Sequence, residues 1–234
     1  MKKILLLLSL LFPVIAFSQE KKFKFGVVVN PNISNNFLSN DGSVPDAVAE
    51  VFADIEKFTW GHYDYLFTQY SINARFKIQI GTGYSQSGYV TKKKELRFSQ
   101  PSPTDPEYSK FFYTYHDIIF PVLLRYNLGR RLNKFYLIGG IAPQVKISRT
   151  KTHKLWYPSG EITTQKTEDD LHSTEYRKTN CNGTIGIGYD MEISGKLHLL
   201  IQPTFDCNLF GVFQSASLNR RMYTIGLNAG VILK

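Results

Sequence analysis

From Arg221 to the end of the chain, apolar and polar residues alternate. Tyr223, Ile225, Leu227, Ala229, Val231 and Leu233 form one row; Thr224, Gly226, Asn228, Gly230, Ile232 and Lys234 form the other. A strand turns successive side chains to opposite faces, so a period of two predicts a β-strand with one apolar face. The first segment repeats the pattern, with Phe23, Phe25, Val27, Val29 and Ile33 set against Lys24, Gly26, Asn30, Asn32 and Ser34. Further alternating stretches lie near 76–85, 135–147, 184–192 and 197–209, and weaker ones near 65–75 and 112–128. Together these predict eight strands, with no sustained helical period in the chain beyond residue 20.

The spacing of the strands carries topology. Long connections near 36–63, 92–111 and 150–176, with a shorter one near 212–219, alternate with tight turns near Ala74-Arg75, Gly129 to Asn133 and Ile193 to Gly195. Short turns at one end, long loops at the other and an apolar outer band are the pattern of outer-membrane barrels. The expectation is an all-β fold: an eight-stranded antiparallel transmembrane β-barrel of outer-membrane type with long external loops. Pro31, Pro121, Pro143 and Pro203 fall inside proposed strands, which requires bulges or strand ends there.

The polar rows carry Lys24, Lys77, Arg125 and Lys234 together with Asp190, Glu192 and Asp206. A Lys or Arg turned to lipid at mid-depth costs about 2–4 kcal/mol, so these residues are expected to form an interior charge network. An eight-stranded barrel is filled by its own side chains, which predicts a plugged bore. If the last long hairpin centres on Ser194, Cys181 faces Cys207 and Glu192 pairs with Lys196. The two cysteines are then a candidate disulfide in an oxidising compartment, the alternative being two separate thiols.

Composition adds the compartment. Lys2 and Lys3 precede an apolar stretch from Ile4 to Phe17, and Ala16-Phe17-Ser18 gives the small-x-small spacing of a cleavage site. Residues 1–18 are read as a signal peptide and 19–234 as the barrel domain, exported to the outer membrane of a diderm bacterium. The 234-residue chain has net charge +9, and removal of Lys2 and Lys3 leaves +7. For an exported chain that charge favours outer-membrane lipids and lipopolysaccharide as neighbours over nucleic acid.

Candidate chemistry is sparse. Val48, Val51, Phe52 and Ile55 recur at helical spacing within 44–58, predicting a short amphipathic helix on the rim. Lys92-Lys93-Lys94 and Arg97 open the second long loop, where charge-assisted bonds to lipopolysaccharide phosphates are one use and solvation another. His153, His172 and Glu168-Asp169-Asp170 match no metal-ligand spacing and read as a solvated acidic loop. His116 beside Asp117, with Ser85 or Ser87 near the same level, is the strongest hydrolytic constellation. Neighbours in a strand point to opposite faces, which weakens it. No cofactor motif is present: no GxGxxG, P-loop or GxSxG.

Four segments stand in order along the chain: Gly26-Val-Val-Val-Asn30, Gly83-Tyr-Ser-Gln-Ser-Gly-Tyr89, Ile118-Ile-Phe-Pro-Val-Leu-Leu-Arg-Tyr126 and Asn219-Arg-Arg-Met-Tyr-Thr-Ile-Gly226. On these the chain resembles the PorT-like outer-membrane β-barrel protein family. The resemblance implies an eight-stranded barrel, with some relatives serving protein secretion, and supplies no catalytic residues. The expected function is therefore a non-enzymatic barrel that binds an unidentified protein partner through its external loops. A lipid-modifying outer-membrane enzyme and a soluble lipocalin-like periplasmic carrier are the alternatives. The carrier would need the inverse pattern, apolar inside and polar outside.

Overall fold

The computed structural model describes residues 22–100, 102–129, 134–168 and 176–233. In chain order the elements are β1 (Phe23–Val29), β2 (Pro31–Asn40), α1 (Asp46–Ile55), β3 (Glu56–Lys57), β4 (Thr59–Ser71), β5 (Phe76–Thr91) and β6 (Lys94–Glu95). They continue as β7 (Tyr108–Ile119), β8 (Val122–Asn127), β9 (Phe135–Trp156), β10 (Ile162–Glu168), β11 (Thr179–Ser194), β12 (Leu197–Asn208) and β13 (Leu218–Leu233). The proposed signal peptide and Lys234 lie outside the described residues.

The sheet is antiparallel and closes on itself, because β13 pairs with both β1 and β2. Around the ring the staves are β1 with β2, then β4, β5, β7 with β8, β9, β11, β12 and β13. Eight staves form the barrel, as the alternation predicts. Closure removes the unpaired sheet edges that an open sheet of this length would expose.

The prolines sit where the ladder is interrupted. Pro31 follows the break between β1 and β2, and Pro121 lies in the break between β7 and β8. Pro143 accepts from Phe120 N at 2.8 Å, so its missing donor faces that same break. Opposite Pro203 the β11–β12 pairing skips from Gly186↔Thr204 to Tyr189↔Ile201. Each proline thus occupies a place where no ladder donor is required.

Outward rows are apolar over the band. Val27, Val29, Leu66, Ile80, Val122, Leu124, Leu137, Ile141, Ile185, Ile187, Ile225 and Leu227 are all exposed. A soluble barrel would leave this belt in water, whereas a bilayer removes it from water. The bore is less polar than the sequence suggests. Val28, Tyr65, Phe67, Ile119, Leu123, Tyr136, Ile138, Leu200 and Ile232 pack there as one apolar cluster. Two glycines make room for these rings. A Cβ at Gly188 would lie 2.1 Å from Tyr136 Cζ, and one at Gly83 would lie 2.5 Å from Tyr65 Cβ.

The connections differ from expectation at the long-loop end. β4 begins at Thr59, well before 65, and the segment 92–111 contains β6 and the start of β7. The segment 150–176 holds the end of β9 and β10, which pair as a hairpin from Trp156↔Ile162 to Thr150↔Glu168. At a rise of about 3.3 Å per residue and a tilt near 40°, β9 reaches roughly 55 Å along the barrel axis. The apolar band needs only about 25 Å of that. The remainder stands clear of the membrane as a sheet of β6, β7, β9 and β10.

Candidate functional site at the external mouth

The interior charges divide into separate sites. Arg125, 1% exposed, donates from Nη2 to Asp190 Oδ2 at 2.6 Å and from Nε to Asn127 Oδ1 at 3.0 Å. Its guanidinium lies 3.7 Å from the Tyr136 ring centroid, and His198 Nδ1 meets Asp190 Oδ1 at 2.7 Å. Asp206 is buried elsewhere and takes hydrogen bonds from Thr184 Oγ1 at 2.5 Å and Thr224 Oγ1 at 3.3 Å, with no cation in that set. Lys24 and Lys77 are half-buried toward the short-turn end. Glu192, at the same end, is exposed.

The hairpin register also requires correction. The turn is Gly195-Lys196, so Ser194 pairs with Leu197, and a bulge then sets Glu192 opposite His198 in place of Lys196. A two-residue loop is the commonest hairpin connection, and it centres between residues where the sequence reading centred on one. The shift of register places Gly183 opposite Cys207. Cys181 and Cys207 are free thiols, each within reach of a neighbouring backbone carbonyl.

At the other end the inward rows of β5, β7, β9 and β13 bring aromatic and cationic side chains together. Tyr89, Tyr115, Val212 and Met222 form a second buried cluster, against which Tyr113, Tyr176 and Phe213 pack. Tyr89 and Tyr113 stack with centroids 4.7 Å apart. The Arg149 guanidinium lies 4.3 Å from the Tyr176 ring and 5.5 Å from that of Tyr115. Guanidinium over an aromatic face is a favourable arrangement where water is scarce. This layer closes the bore a second time, above the apolar cluster.

Above it, Arg220 clamps the first long connection to the wall. Its Nη2 and Nε donate to Glu56 Oε1 at 2.6 and 3.0 Å, and Asn36 Nδ2 donates to Glu56 Oε2 at 2.7 Å. Glu56 directly follows α1, so the clamp holds the helix over the mouth. The amphipathic helix predicted within 44–58 is present, but its apolar face is largely uncovered: Val48, Val51 and Phe52 are exposed. Lys92 donates to Asp54 Oδ1 at 2.7 Å, and this bond holds the Asp54 carboxyl below the usual range. Lys93 stands over the rings of Tyr108 and Trp156 at 4.1 and 4.6 Å. Two of the three lysines at 92–94 thus have protein partners.

Between α1 and the ends of β5, β6 and β7 lies a cleft of about 280 Å³, partly open to solvent. Phe52, Ile55, Tyr89, Leu96, Phe111 and Tyr113 supply its apolar wall. Ser109 Oγ, on this wall, lies 2.8 Å from His153 Nε2, and the His153 ring stacks on Phe111 of the wall at 4.1 Å. Burial and then the nearby Lys151 charge push the imidazole pKa down, which leaves His153 neutral near pH 7. The sequence groups His153 with His172 and Glu168-Asp169-Asp170; Glu168 ends β10, and His172, Asp169 and Asp170 lie outside the described residues. Ser109 went unnoticed because it stands 44 positions from His153, and only the β7–β9 register joins them.

The constellation around His116 does not assemble. His116 turns outward and meets the Tyr84 hydroxyl, while Asp117, Ser85 and Ser87 are buried on the inward face. His62 and Asp64 continue this outward polar row, 3.8 Å apart. No group of three His, Cys, Asp or Glu side chains suited to a metal occurs among the described residues.

Residues 17–214 match the family model described as outer membrane protein beta-barrel domain. The chain belongs to that family. No curated protein matches this member in sequence. Among solved structures it is similar to Ail, the attachment invasion locus protein of Yersinia pestis, at 8% identity over 88% of this chain and 97% of that one, with a TM-score of 0.34. Neisserial surface protein A is similar at 13% identity over 90% and 96%, with a TM-score of 0.34. The outer membrane protease OmpT from Escherichia coli gives 7% identity over 91% and 95%, with a TM-score of 0.41. These are likenesses of barrel architecture and say nothing of activity. Membership of the family assigns the short turns to the periplasmic side and the hairpin extensions to the outside.

Proposed function

We propose that this outer-membrane barrel is a non-conducting, non-enzymatic protein that works by binding a protein partner through its external platform. The observation that carries the reading is the bore, closed at two levels, by the apolar cluster with the Arg125–Asp190 pair and by the Tyr115–Arg149 layer. A barrel so closed leaves its exposed ends as the surfaces on which to act, and the sheet of β6, β7, β9 and β10 with α1 is the larger of these. Support for protein secretion is the form of partner binding that the PorT-like resemblance favours. Outer-membrane lipids and lipopolysaccharide are the surroundings of the band, nucleic acid is not a partner, and export follows cleavage after Ser18.

Two measurements test the reading. In planar lipid bilayers the purified protein gives no steady conductance, and stable openings would contradict it. Replacing residues 152–166 by a two-residue Asn-Gly turn leaves a heat-modifiable barrel in the membrane but depletes secreted proteins from the medium. Secretion at the normal level by that variant would count against the platform.

A further inference from the structure

We infer that the cleft under α1 is a binding site for a small anionic molecule with a flat apolar body. The inference rests on the external mouth being the working end of the barrel. Two independent features define the ligand. The first is shape: Tyr89, Tyr113 and Phe111 line a cleft of about 280 Å³, at the lower edge of the size range of small-molecule sites, and this stacked aromatic wall suits a flat apolar partner. The second is charge. The carboxylate that lines the cleft, Glu56, is already matched by Arg220, and Lys92 of the lining is matched by Asp54 on α1. Lys94 lines the cleft, and Lys151 Nζ stands 4.8 Å from the Phe111 ring centroid. Neither has a carboxylate within ion-pair distance among the described residues. The surplus is positive, so the complementary ligand is negative, with its acid group at Lys94 and Lys151 and its apolar body against Phe111 and Tyr113. Ser109, bonded to His153 behind it, adds a hydroxyl at the wall.

Naphthalene-2-sulfonate has this chemistry and is a suitable probe. It is titrated by calorimetry into full-length protein in lipid nanodiscs, with empty nanodiscs as the blank. Saturable one-site binding is expected, with Kd on the order of 100 μM for a ligand of this size. Lys94→Gln and Lys151→Gln each weaken it about three- to fivefold, as removal of an exposed charge partner should. Uncharged 2-naphthalenemethanol binds about tenfold more weakly, since it forfeits both partners at once. Lys196→Gln, at the opposite end, changes nothing. Each variant is first checked for its heat-shifted gel band, so a misfolded chain is not scored. Heat indistinguishable from empty nanodiscs, or equal binding of the charged and uncharged probes, overturns the inference. The secretion phenotype of the hairpin deletion is read in cells without any probe, so either claim can fail while the other stands.

Discussion

Replacing Asp190 by Ala isolates the ion pair inside the bore. Arg125 is 1% exposed, and its bonds at 2.6 Å to Asp190 and 3.0 Å to Asn127 are supplemented by the Tyr136 ring at 3.7 Å. Removing one partner of a buried pair costs about 3–5 kcal/mol, because the other charge stays in a poorly solvated place. Asn127 and Tyr136 remain, and Asp190 itself is 11% exposed, so water reaches the gap. The low end, about 3 kcal/mol, is therefore expected, more than a hundredfold in the folding equilibrium. His198 loses the same carboxylate, which adds to the loss. The double replacement Arg125→Met with Asp190→Leu removes both charges and is expected to recover most of that loss, leaving His198 without its carboxylate, since apolar pairs of similar volume often substitute for buried ion pairs. The assay is urea unfolding from phospholipid vesicles, followed by tryptophan fluorescence and by the fraction of heat-shifted band. If Asp190→Ala unfolds at the parental urea concentration, or if the double variant is as unstable as the single one, the pair is not what organises this end of the bore.

Three further outcomes follow from the same packing. Gly188→Ala sets a methyl group 2.1 Å from Tyr136 Cζ and is expected to cost about 1–3 kcal/mol in the same titration, with relief in a Tyr136→Leu background. Cys181→Ser with Cys207→Ser leaves the non-reducing gel band unchanged, and the unfolded parent takes two maleimide labels without prior reduction; a single mobility shift on adding reductant would contradict free thiols. Glu56→Ala leaves Arg220 without its charged acceptor, for about 1.5–3 kcal/mol of local stability. It should open α1 to limited proteolysis between residues 41 and 55 while the barrel keeps its heat shift. Unchanged protease resistance would mean that the clamp does not hold the helix.

What the sequence revealed follows from where lipid, and not packing, decides the side chain. β13 was legible because its outward row faces the bilayer at every position from Tyr223 to Leu233. β4 was not, because its inward residues are Tyr63, Tyr65 and Phe67 while His62 and Asp64 face out. Rings that fill a narrow bore and rings that meet lipid are the same residue types, so period alone cannot sort them. β9 reads as ending at Ile147 because Ile147 is an extra, unpaired residue in β9, between Lys146 opposite Asp117 and Ser148 opposite His116, and the alternation loses phase there. Hairpin centres were harder still. One residue of error at Ser194 moved Cys181 opposite Cys207 and Glu192 opposite Lys196, neither of which pairs. Ser109 with His153, and Arg220 with Glu56, join elements distant in sequence, and nothing in their local composition announces the contact.

The account turns on the hairpin extensions standing outside the cell and the short turns inside. In a Cys181→Ser, Cys207→Ser background, Ser159→Cys at the tip between β9 and β10 and Asn73→Cys in the β4–β5 turn are tested with a membrane-impermeant maleimide on intact cells. Labelling at 159 on intact cells, and at 73 only after the outer membrane is permeabilised, is the predicted result. Labelling at 73 on intact cells with 159 protected would invert the barrel and contradict the account at its centre.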